Sequence, residues 1–170
     1  MIVAFQFLYS LWSLTVVSSN QSEAGMRLFE IGRSRDQNRI FYEATLRNDG
    51  NLNTDDPIRI YWKKRDSTEP LTNIQRKFAY GLVIDKAHAE RILFHFVSYP
   101  KRKLLLSKTA GQAGYRVLIE YQGDWSILND IFVQIDGGTF WVPKIANVRL
   151  RLMHPASCKI LIENINPKKL

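Results

Sequence analysis

The chain has 170 residues, 45% of them hydrophobic, and a formal net charge of +8. This length and apolar content suit one domain whose core needs no metal or disulfide. Cys158 is the single cysteine, which excludes an internal disulfide. With only three histidines beside it, the chain also lacks ligands for a zinc or iron–sulfur site. We expect Cys158 to be a small, buried or half-buried thiol.

The first 24 residues differ in composition from the rest. Residues 2–17 are mostly apolar, small residues follow, and the first basic residue is Arg27. Residues 1–24 are therefore predicted to be an export signal, although the usual positive start is missing. The stretch is short and polar for a membrane span, but an uncleaved anchor and an N-terminal strand are the alternatives. We expect residues 25–170 to form one periplasmic or extracellular domain, or else a membrane-anchored one.

The excess of positive charge bears on partners. Cleavage after residue 24 would remove Glu23 and no base, which raises the net charge from +8 to +9. An exported basic domain could bind an anionic small molecule, a lipid headgroup or an acidic glycan, or could use its charge for solubility alone. Export and the lack of an aromatic and basic platform argue against nucleic acid.

Apolar residues at every second position predict strands along most of the domain. In chain order, the first are 27–31 and 40–46, separated by a polar loop at 33–38. Asn48-Asp49-Gly50 is a strong turn signal after the second strand. In the next strand, 58–63, isoleucines and a tryptophan alternate with basic residues and a tyrosine.

One short helix is predicted at about 72–80. It begins with a capping box at 72–75, in which Thr and Gln side chains satisfy each other's backbone amides. Ile74 and Phe78 lie four residues apart on one face, so we expect them to pack into the core. Gly81 is placed to end the helix in a left-handed conformation. A helix this short must dock on the sheet to be stable.

The chain then returns to strands. Asp136, Gly137 and Gly138 predict a tight turn between two of them, since these residues tolerate positive φ. Nine or ten strands with one helix predict a mostly β fold, a single antiparallel sandwich or partly closed barrel. The remaining predicted strands are 92–97, 103–107, 115–121, 131–135, 139–142, 148–152 and 160–162.

No catalytic signature is present: the chain lacks a nucleophile elbow, a zinc-protease helix, a P-loop and a dinucleotide fingerprint. We predict no metal and no cofactor. The three histidines are dispersed, and His95 is expected to be structural because it lies in an alternating strand. An acid/base site could arise only if distant groups meet in space. The candidates for such a site are Glu43, Tyr80, His95, Glu120 and Asp136.

Two basic elements are stronger candidates for binding. One lies on the predicted helix, where an arginine and a tyrosine four residues apart share a face, and the other opens a strand after Pro100. Together they could form a rim whose guanidinium groups grip phosphate or carboxylate oxygens. Two tryptophans could stack on a ligand, although core positions suit them better. The predicted ligand-binding residues are Arg76, Lys77, Tyr80, Lys101, Arg102, Trp62 and Trp141.

Three segments carry a family resemblance: Tyr61-Trp62, the helical run 74–81 and the run 131–141 that contains the Gly-Gly pair. Together they resemble the uncharacterised DUF4833 family, over about residues 28–148. The resemblance implies a domain of unknown function that often occurs in exported proteins. It supplies no activity, cofactor or catalytic residue.

The sequence favours a non-enzymatic, exported β-rich domain that binds an anionic ligand or an envelope partner. The first alternative is a hydrolase or isomerase with a spatially assembled acid/base site, which would bring two perturbed titratable groups together in a cleft. The second is a structural envelope component, which would present a large flat apolar patch rather than a pocket.

Overall fold

A computed structural model describes residues 25–88, 90–108, 114–139 and 142–167. These residues form an open, strongly curled half-barrel of eleven strands with one short helix. The predicted mostly β fold with one short helix is therefore confirmed, and of the two predicted architectures, sandwich or partly closed barrel, it is the barrel-like one. The predicted export signal, residues 1–24, lies outside the described residues.

The strands follow one another in chain order, and the longest connection between neighbours without a helix is 45–57, between β2 and β3. The helix lies between β4 and β5 and consists of α1, Asn73–Gln75, which continues as a π-helical turn, Arg76–Tyr80. The strands are β1 Met26–Arg33, β2 Asp36–Ala44, β3 Ile58–Lys63, β4 Thr68–Pro70, β5 Leu82–His88, β6 Arg91–Phe96, β7 Tyr99–Lys108, β8 Tyr115–Tyr121, β9 Asp124–Gly138, β10 Pro143–Met153 and β11 Ile160–Ile165.

The long strand β9 organises the sheet. On one side its beginning pairs with β8 and its later part with β1, while its other side pairs with β10. The other strand pairs of the sheet run antiparallel, but β1 and β9 are parallel, with Glu30–Arg33 beside Asp130–Val133. This parallel pair departs from the predicted all-antiparallel pattern, and it joins the first strands of the chain to the last.

The core lies on the concave side of the half-barrel, as the period-two pattern predicts. In β3 the buried positions are Ile58, Ile60 and Trp62, and the residues between them point outward. Tyr42 is fully buried and stacks on Phe29, with ring centroids 4.3 Å apart. Aromatic packing of this kind adds to the stabilisation from the area that the rings bury.

The capping box at the helix start is confirmed. The Gln75 amide donates to the Thr72 hydroxyl at 3.3 Å, and the Gln75 side-chain oxygen accepts from the Thr72 amide at 3.0 Å. The predicted burial of Ile74 and Phe78 is wrong, since these side chains are 55% and 66% exposed. After Gln75 the helix widens to a π-helical turn, so positions four apart no longer face the core.

The predicted left-handed conformation of Gly81 is also wrong: φ is −69° and ψ is 164°, an extended conformation. A glycine is required there for a different reason. A Cβ atom on Gly81 would lie 1.8 Å from the Arg76 carbonyl oxygen. Only a residue without a side chain fits where the chain leaves the π-helical turn.

Three further expectations need correction. The polar loop at 33–38 reduces to Ser34 and Arg35, because β2 already begins at Asp36. The strand β5 has no counterpart among the predicted strands, since six of its seven residues are exposed and its sequence does not alternate. Cys158 is exposed rather than buried, because it lies in the turn between β10 and β11 with φ of 54°.

A hydrogen bond on the outer face gives a pH prediction. Burial, and then the bond from the Tyr61 hydroxyl to Glu43 at 2.5 Å, raise the pKa of Tyr61 from 10 to about 12. The stability linked to this proton is complete below pH 10 and is lost as the pH rises towards 12. We expect the urea midpoint to fall more steeply above pH 10 in the wild type than in Tyr61→Phe.

The comparison with Tyr61→Phe is needed because burial also raises the pKa of Tyr42 well above its usual value. Both proteins share that contribution, so it cancels in the difference between their midpoints. Urea midpoints that fall equally with pH in the two proteins would contradict the prediction.

Candidate ligand-binding site

The concave face of the half-barrel encloses an open cavity of about 560 Å³. This is within the range of small-molecule binding pockets. Its floor is apolar and comes from five strands, β1, β7, β8, β9 and β10, whose inward positions meet there. The floor residues are Ile31, Leu104, Ile119, Leu128, Ile131 and Leu150.

Arg33, at the end of β1, brings a positive charge to this apolar cavity. Its side chain is only 13% exposed and pairs with Asp36 at the start of β2. One guanidinium nitrogen donates to the Tyr80 hydroxyl at 3.2 Å, and the guanidinium carbon lies 4.5 Å from the centre of the Trp62 ring. The Arg33 Nε atom is buried and has no hydrogen-bond partner among the described residues.

The helix closes one side of the cavity and is fixed by polar contacts rather than by its apolar pair. The Tyr42 hydroxyl donates to the Tyr80 carbonyl at 2.7 Å, and the Trp62 indole donates to the Gln75 side chain at 3.1 Å. The Tyr80 and Trp62 rings meet edge to face at 5.6 Å. Trp62 is thus a core residue that supports Tyr80 and Arg33, and it offers no open stacking surface.

A second arginine, Arg102 on β7, also lines the cavity. It donates to Glu163 on β11 at 2.8 Å and to the Glu120 carbonyl oxygen at 2.6 Å. The other carboxylate oxygen of Glu163 is buried and has no partner among the described residues. Buried polar groups normally find partners, so this oxygen could accept a hydrogen bond from one more donor.

Arg35, a third arginine at the cavity, holds the end of β9. Its guanidinium donates to the carbonyl oxygens of Gly138 at 2.9 Å, Thr139 at 3.0 Å and Gly137 at 3.3 Å. No carboxylate within the described ranges lies in salt-bridge range of Arg35. Among the described residues, its charge is therefore balanced only by carbonyl dipoles, and it lines the cavity.

The Asp136-Gly137-Gly138 motif adopts positive φ at both glycines, 85° and 78°, as its composition predicts. The chain reverses three residues later than predicted, so Thr139 and Val142 lie in the connection and not in a strand at 139–142. The motif still belongs to β9, and the connection runs from Thr139 to Val142, whose backbone groups hydrogen-bond at 3.1 Å. The residues of the predicted turn thus form the end of β9, and Arg35 hydrogen-bonds to the backbone there.

The structure brings together only part of the predicted binding rim. Tyr80 and Arg102 line the cavity. Arg76 and Lys77 are exposed on the helix and do not line it, and Lys101 does not line it either, although it makes other interactions. Trp141 lies outside the described residues.

None of the five predicted acid/base groups hydrogen-bonds to another within the described ranges. Glu43 is bound by Tyr61, and His95 lies 2.9 Å from Asp85 on the neighbouring strand. Hydrogen bonds from His95 and then Lys103 lower the pKa of Asp85. His95 is therefore part of a cross-strand polar cluster with Asp85 and Lys103.

Two cavity residues, Arg33 and Arg35, are absent from the predicted set. Their signal is the run Arg33-Ser34-Arg35-Asp36, which places two guanidinium groups and an acid between two apolar strands. A polar run of this kind is typical of a solvated loop, so the sequence does not reveal its position at the mouth of the half-barrel. The parallel pairing of β1 with β9, which puts this run against the cavity, has no local sequence signal.

The described ranges offer neither a metal centre nor a membrane-spanning helix. No group of three or more His, Cys, Asp or Glu side chains there is arranged to hold a metal ion. No helix in the same ranges is long and apolar enough to cross a membrane.

Comparison with known proteins adds a family but no activity. No curated protein and no solved structure matches the chain. The model of one family, described as a domain of unknown function, matches residues 29–164. That match covers most of the chain, from within β1 to within β11, and reaches every cavity strand. The chain therefore belongs to the DUF4833 family.

Proposed function

We propose that this protein binds an amphipathic anion, a carboxylate or phosphate attached to an apolar tail, and does not transform it. The tail would occupy the cavity, and the acidic group would lie against the arginines at its edge. The single observation that carries the proposal is Arg33, a nearly buried guanidinium with an unpartnered Nε, among the described residues, beside an apolar cavity.

The charge around the cavity supports an anionic head. An arginine presents a planar set of donors that matches carboxylate and phosphate oxygens. Arg33 and Arg102 are each offset by one carboxylate, whereas Arg35 has no acidic partner among the described residues. An anion at the cavity edge would therefore lie beside the Arg33 guanidinium and offset the charge of Arg35.

The apolar floor supports a tail. Each methylene group removed from water contributes about 0.8 kcal/mol, or about fourfold in affinity. A polar glycan or a small phosphorylated metabolite would leave this floor unfilled. Among the anionic ligands expected from the sequence, lipid-like molecules fit the cavity best. An exported protein of the envelope would meet such molecules, and export stays part of the proposal.

The test is a binding titration that measures the affinity of the protein for saturated fatty acids of increasing chain length and for their uncharged methyl esters. Wild-type protein should bind each acid about tenfold more tightly than its ester, because a hydrogen bond to a charged group contributes about 1.5 to 3 kcal/mol. Affinity should rise with chain length until the cavity is full. Arg35→Gln should reduce the preference for the acid, whereas Lys63→Gln, an exposed cation away from the cavity, should not.

A steric variant tests the location of the tail. Val148 lines the cavity from β10, so Val148→Trp should weaken binding at least about tenfold by filling the space. Val83→Trp is the matched control, since Val83 is exposed on β5 and does not line the cavity. Equal binding of acids and esters, affinity independent of chain length, or equal effects of the two tryptophans would contradict the proposal.

A further inference from the structure

The mouth of the cavity is ringed by exposed apolar side chains. On the helix these are Ile74 and Phe78, 55% and 66% exposed, and on the β9–β10 hairpin Val142 and Ile145, 74% and 37% exposed. All four line the same cavity, so the two elements flank one opening. Clustered exposed apolar side chains of this size usually mark a surface that contacts another apolar phase.

Cations lie directly among these apolar residues. Arg76 and Lys77 separate Ile74 from Phe78 along the helix, and Lys144 separates Val142 from Ile145 on the hairpin. All three cations are exposed, and none has a carboxylate within salt-bridge distance in the described part of the chain. The Lys77 ammonium lies 5.3 Å from the centre of the Phe78 ring. Each side of the mouth thus combines insertable apolar groups with uncompensated positive charge.

This combination is that of interfacial membrane binding, in which apolar side chains enter the headgroup region and basic ones contact anionic lipids. A protein partner would need a complementary acidic and apolar surface of fixed shape. A bilayer needs only the two properties that the mouth has. In addition, a bilayer docked at the mouth would connect its acyl region to the cavity floor by an apolar path along Ile74, Phe78 and Val142.

We propose that the mouth of the half-barrel docks on an anionic lipid bilayer through Ile74, Phe78 and Val142, with Arg76, Lys77 and Lys144 contacting the headgroups. The inference that a ligand then passes between bilayer and cavity rests on the proposed function. Docking itself does not, and it can be measured separately.

The experiment is sedimentation of the full chain with vesicles of phosphatidylcholine alone and of phosphatidylcholine mixed with phosphatidylglycerol. Wild-type protein should bind the anionic vesicles at least about tenfold more strongly than the neutral ones, and added salt should weaken this binding. Residues 1–24 are common to all proteins compared, so differences between variants report on the mouth.

Two triple variants test the two components of the surface. Arg76→Gln/Lys77→Gln/Lys144→Gln should lose most of the preference for anionic vesicles, about tenfold or more. Its matched control, Lys63→Gln/Arg65→Gln/Lys86→Gln, lowers the net charge of +8 by the same three units at exposed sites away from the cavity. The control should keep most of the binding. If both variants lose binding equally, net charge rather than the mouth is responsible, and the proposal is overturned.

For the apolar component, Ile74→Ser/Phe78→Ser/Val142→Ser should lower binding to anionic vesicles by about tenfold or more. The matched control is Val83→Ser/Ile84→Ser/Ile160→Ser, whose side chains are similarly exposed, at 42%, 41% and 50%, but do not line the cavity. Thermal unfolding midpoints confirm that each variant is folded. Unchanged binding by the mouth variant, or equal loss by both, overturns the proposal.

The outcomes separate docking from ligand binding. The cation variant leaves the cavity lining intact, so it should bind fatty acid in solution as the wild type does while losing vesicle binding. Fatty-acid binding without vesicle binding by the wild type would overturn docking and leave the proposed function standing. Vesicle binding by the mouth without fatty-acid binding would support docking and overturn the proposed function.

Discussion

Replacing Gly81 with alanine is expected to lower the free energy of unfolding by about 3 kcal/mol or more, the range of severe steric clashes. The added Cβ would lie 1.8 Å from the Arg76 carbonyl oxygen and 3.3 Å from the Arg76 Cα, both backbone atoms of the π-helical turn. A contact with backbone cannot be relieved by rotating a side chain, so the turn must move. Urea unfolding followed by circular dichroism measures the loss.

Movement of the turn would also disturb the cavity. The Tyr80 carbonyl accepts a hydrogen bond from the Tyr42 hydroxyl, and the Tyr80 hydroxyl accepts one from Arg33. Displacing Tyr80 would leave the hydroxyl of the fully buried Tyr42 without its partner, which by itself costs about 1 to 3 kcal/mol. We therefore expect Gly81→Ala to weaken ligand binding as well as stability.

The control for Gly81→Ala is Gly50→Ala. Gly50 has a φ of 77°, but no atom lies within 4 Å of the position that its Cβ would take, so only backbone strain of about 1 kcal/mol opposes alanine there. At Gly81 the φ of −69° suits alanine, and only the close contact opposes it. An effect at Gly81 no larger than at Gly50 would show that the turn adapts easily and would contradict the prediction.

The strands could be predicted from the sequence because period-two alternation reports directly on which face is buried. This holds for β3 and β8, whose buried and exposed positions alternate as expected. The pattern fails for β5, at one end of the strand order, since an edge strand with exposed faces needs no apolar alternation. Pairing partners are a property of the whole sheet, so the parallel contact of β1 with β9 could not be predicted locally.

The helix shows a different limit. Its start was predictable because a capping box is a contact between residues three apart. Its orientation was not, because the assignment of Ile74 and Phe78 to the core assumed about 3.6 residues per turn. The π-helical turn changes that spacing, and hydrogen bonds to Gln75 and the Tyr80 carbonyl fix the helix instead. The apolar pair is thereby left at the mouth of the cavity.

The candidate site was only half predictable for the same reason. Tyr80 and Arg102 could be selected because basic and aromatic residues cluster near them in sequence. Arg33 and Arg35 reach the cavity through the sheet topology, and Arg33 is nearly buried, which composition alone does not predict. A burial signal for an arginine arises only from its neighbours in space, here Trp62, Tyr80 and Asp36.

Replacing Asp36 with asparagine is expected to lower the free energy of unfolding by about 2 kcal/mol. The change removes the carboxylate that pairs with the Arg33 guanidinium, which is only 13% exposed. Removing one partner of a fully buried pair costs about 3 to 5 kcal/mol, and the 30% exposure of the Asp36 side chain reduces that figure. Asparagine keeps an oxygen for the Asn38 amide, which donates to Asp36 at 3.0 Å. The loss, measured by urea unfolding, therefore reports on the charge pair rather than on the turn.

The double variant Arg33→Met/Asp36→Asn tests whether the Arg33–Asp36 pair serves ligand binding or the stability of the fold. Methionine keeps an unbranched stem beside Trp62 and removes both the charge and the buried Nε. Apolar replacement of a buried pair is often neutral or stabilising, so the double variant should regain most of the stability that Asp36→Asn loses. It should at the same time bind fatty acids no more tightly than their methyl esters.

Recovered stability together with lost acid preference would mean that Arg33 is retained for its ligand. A double variant as unstable as the single one would instead make Arg33 a structural residue and remove the main support for the cavity as an anion site.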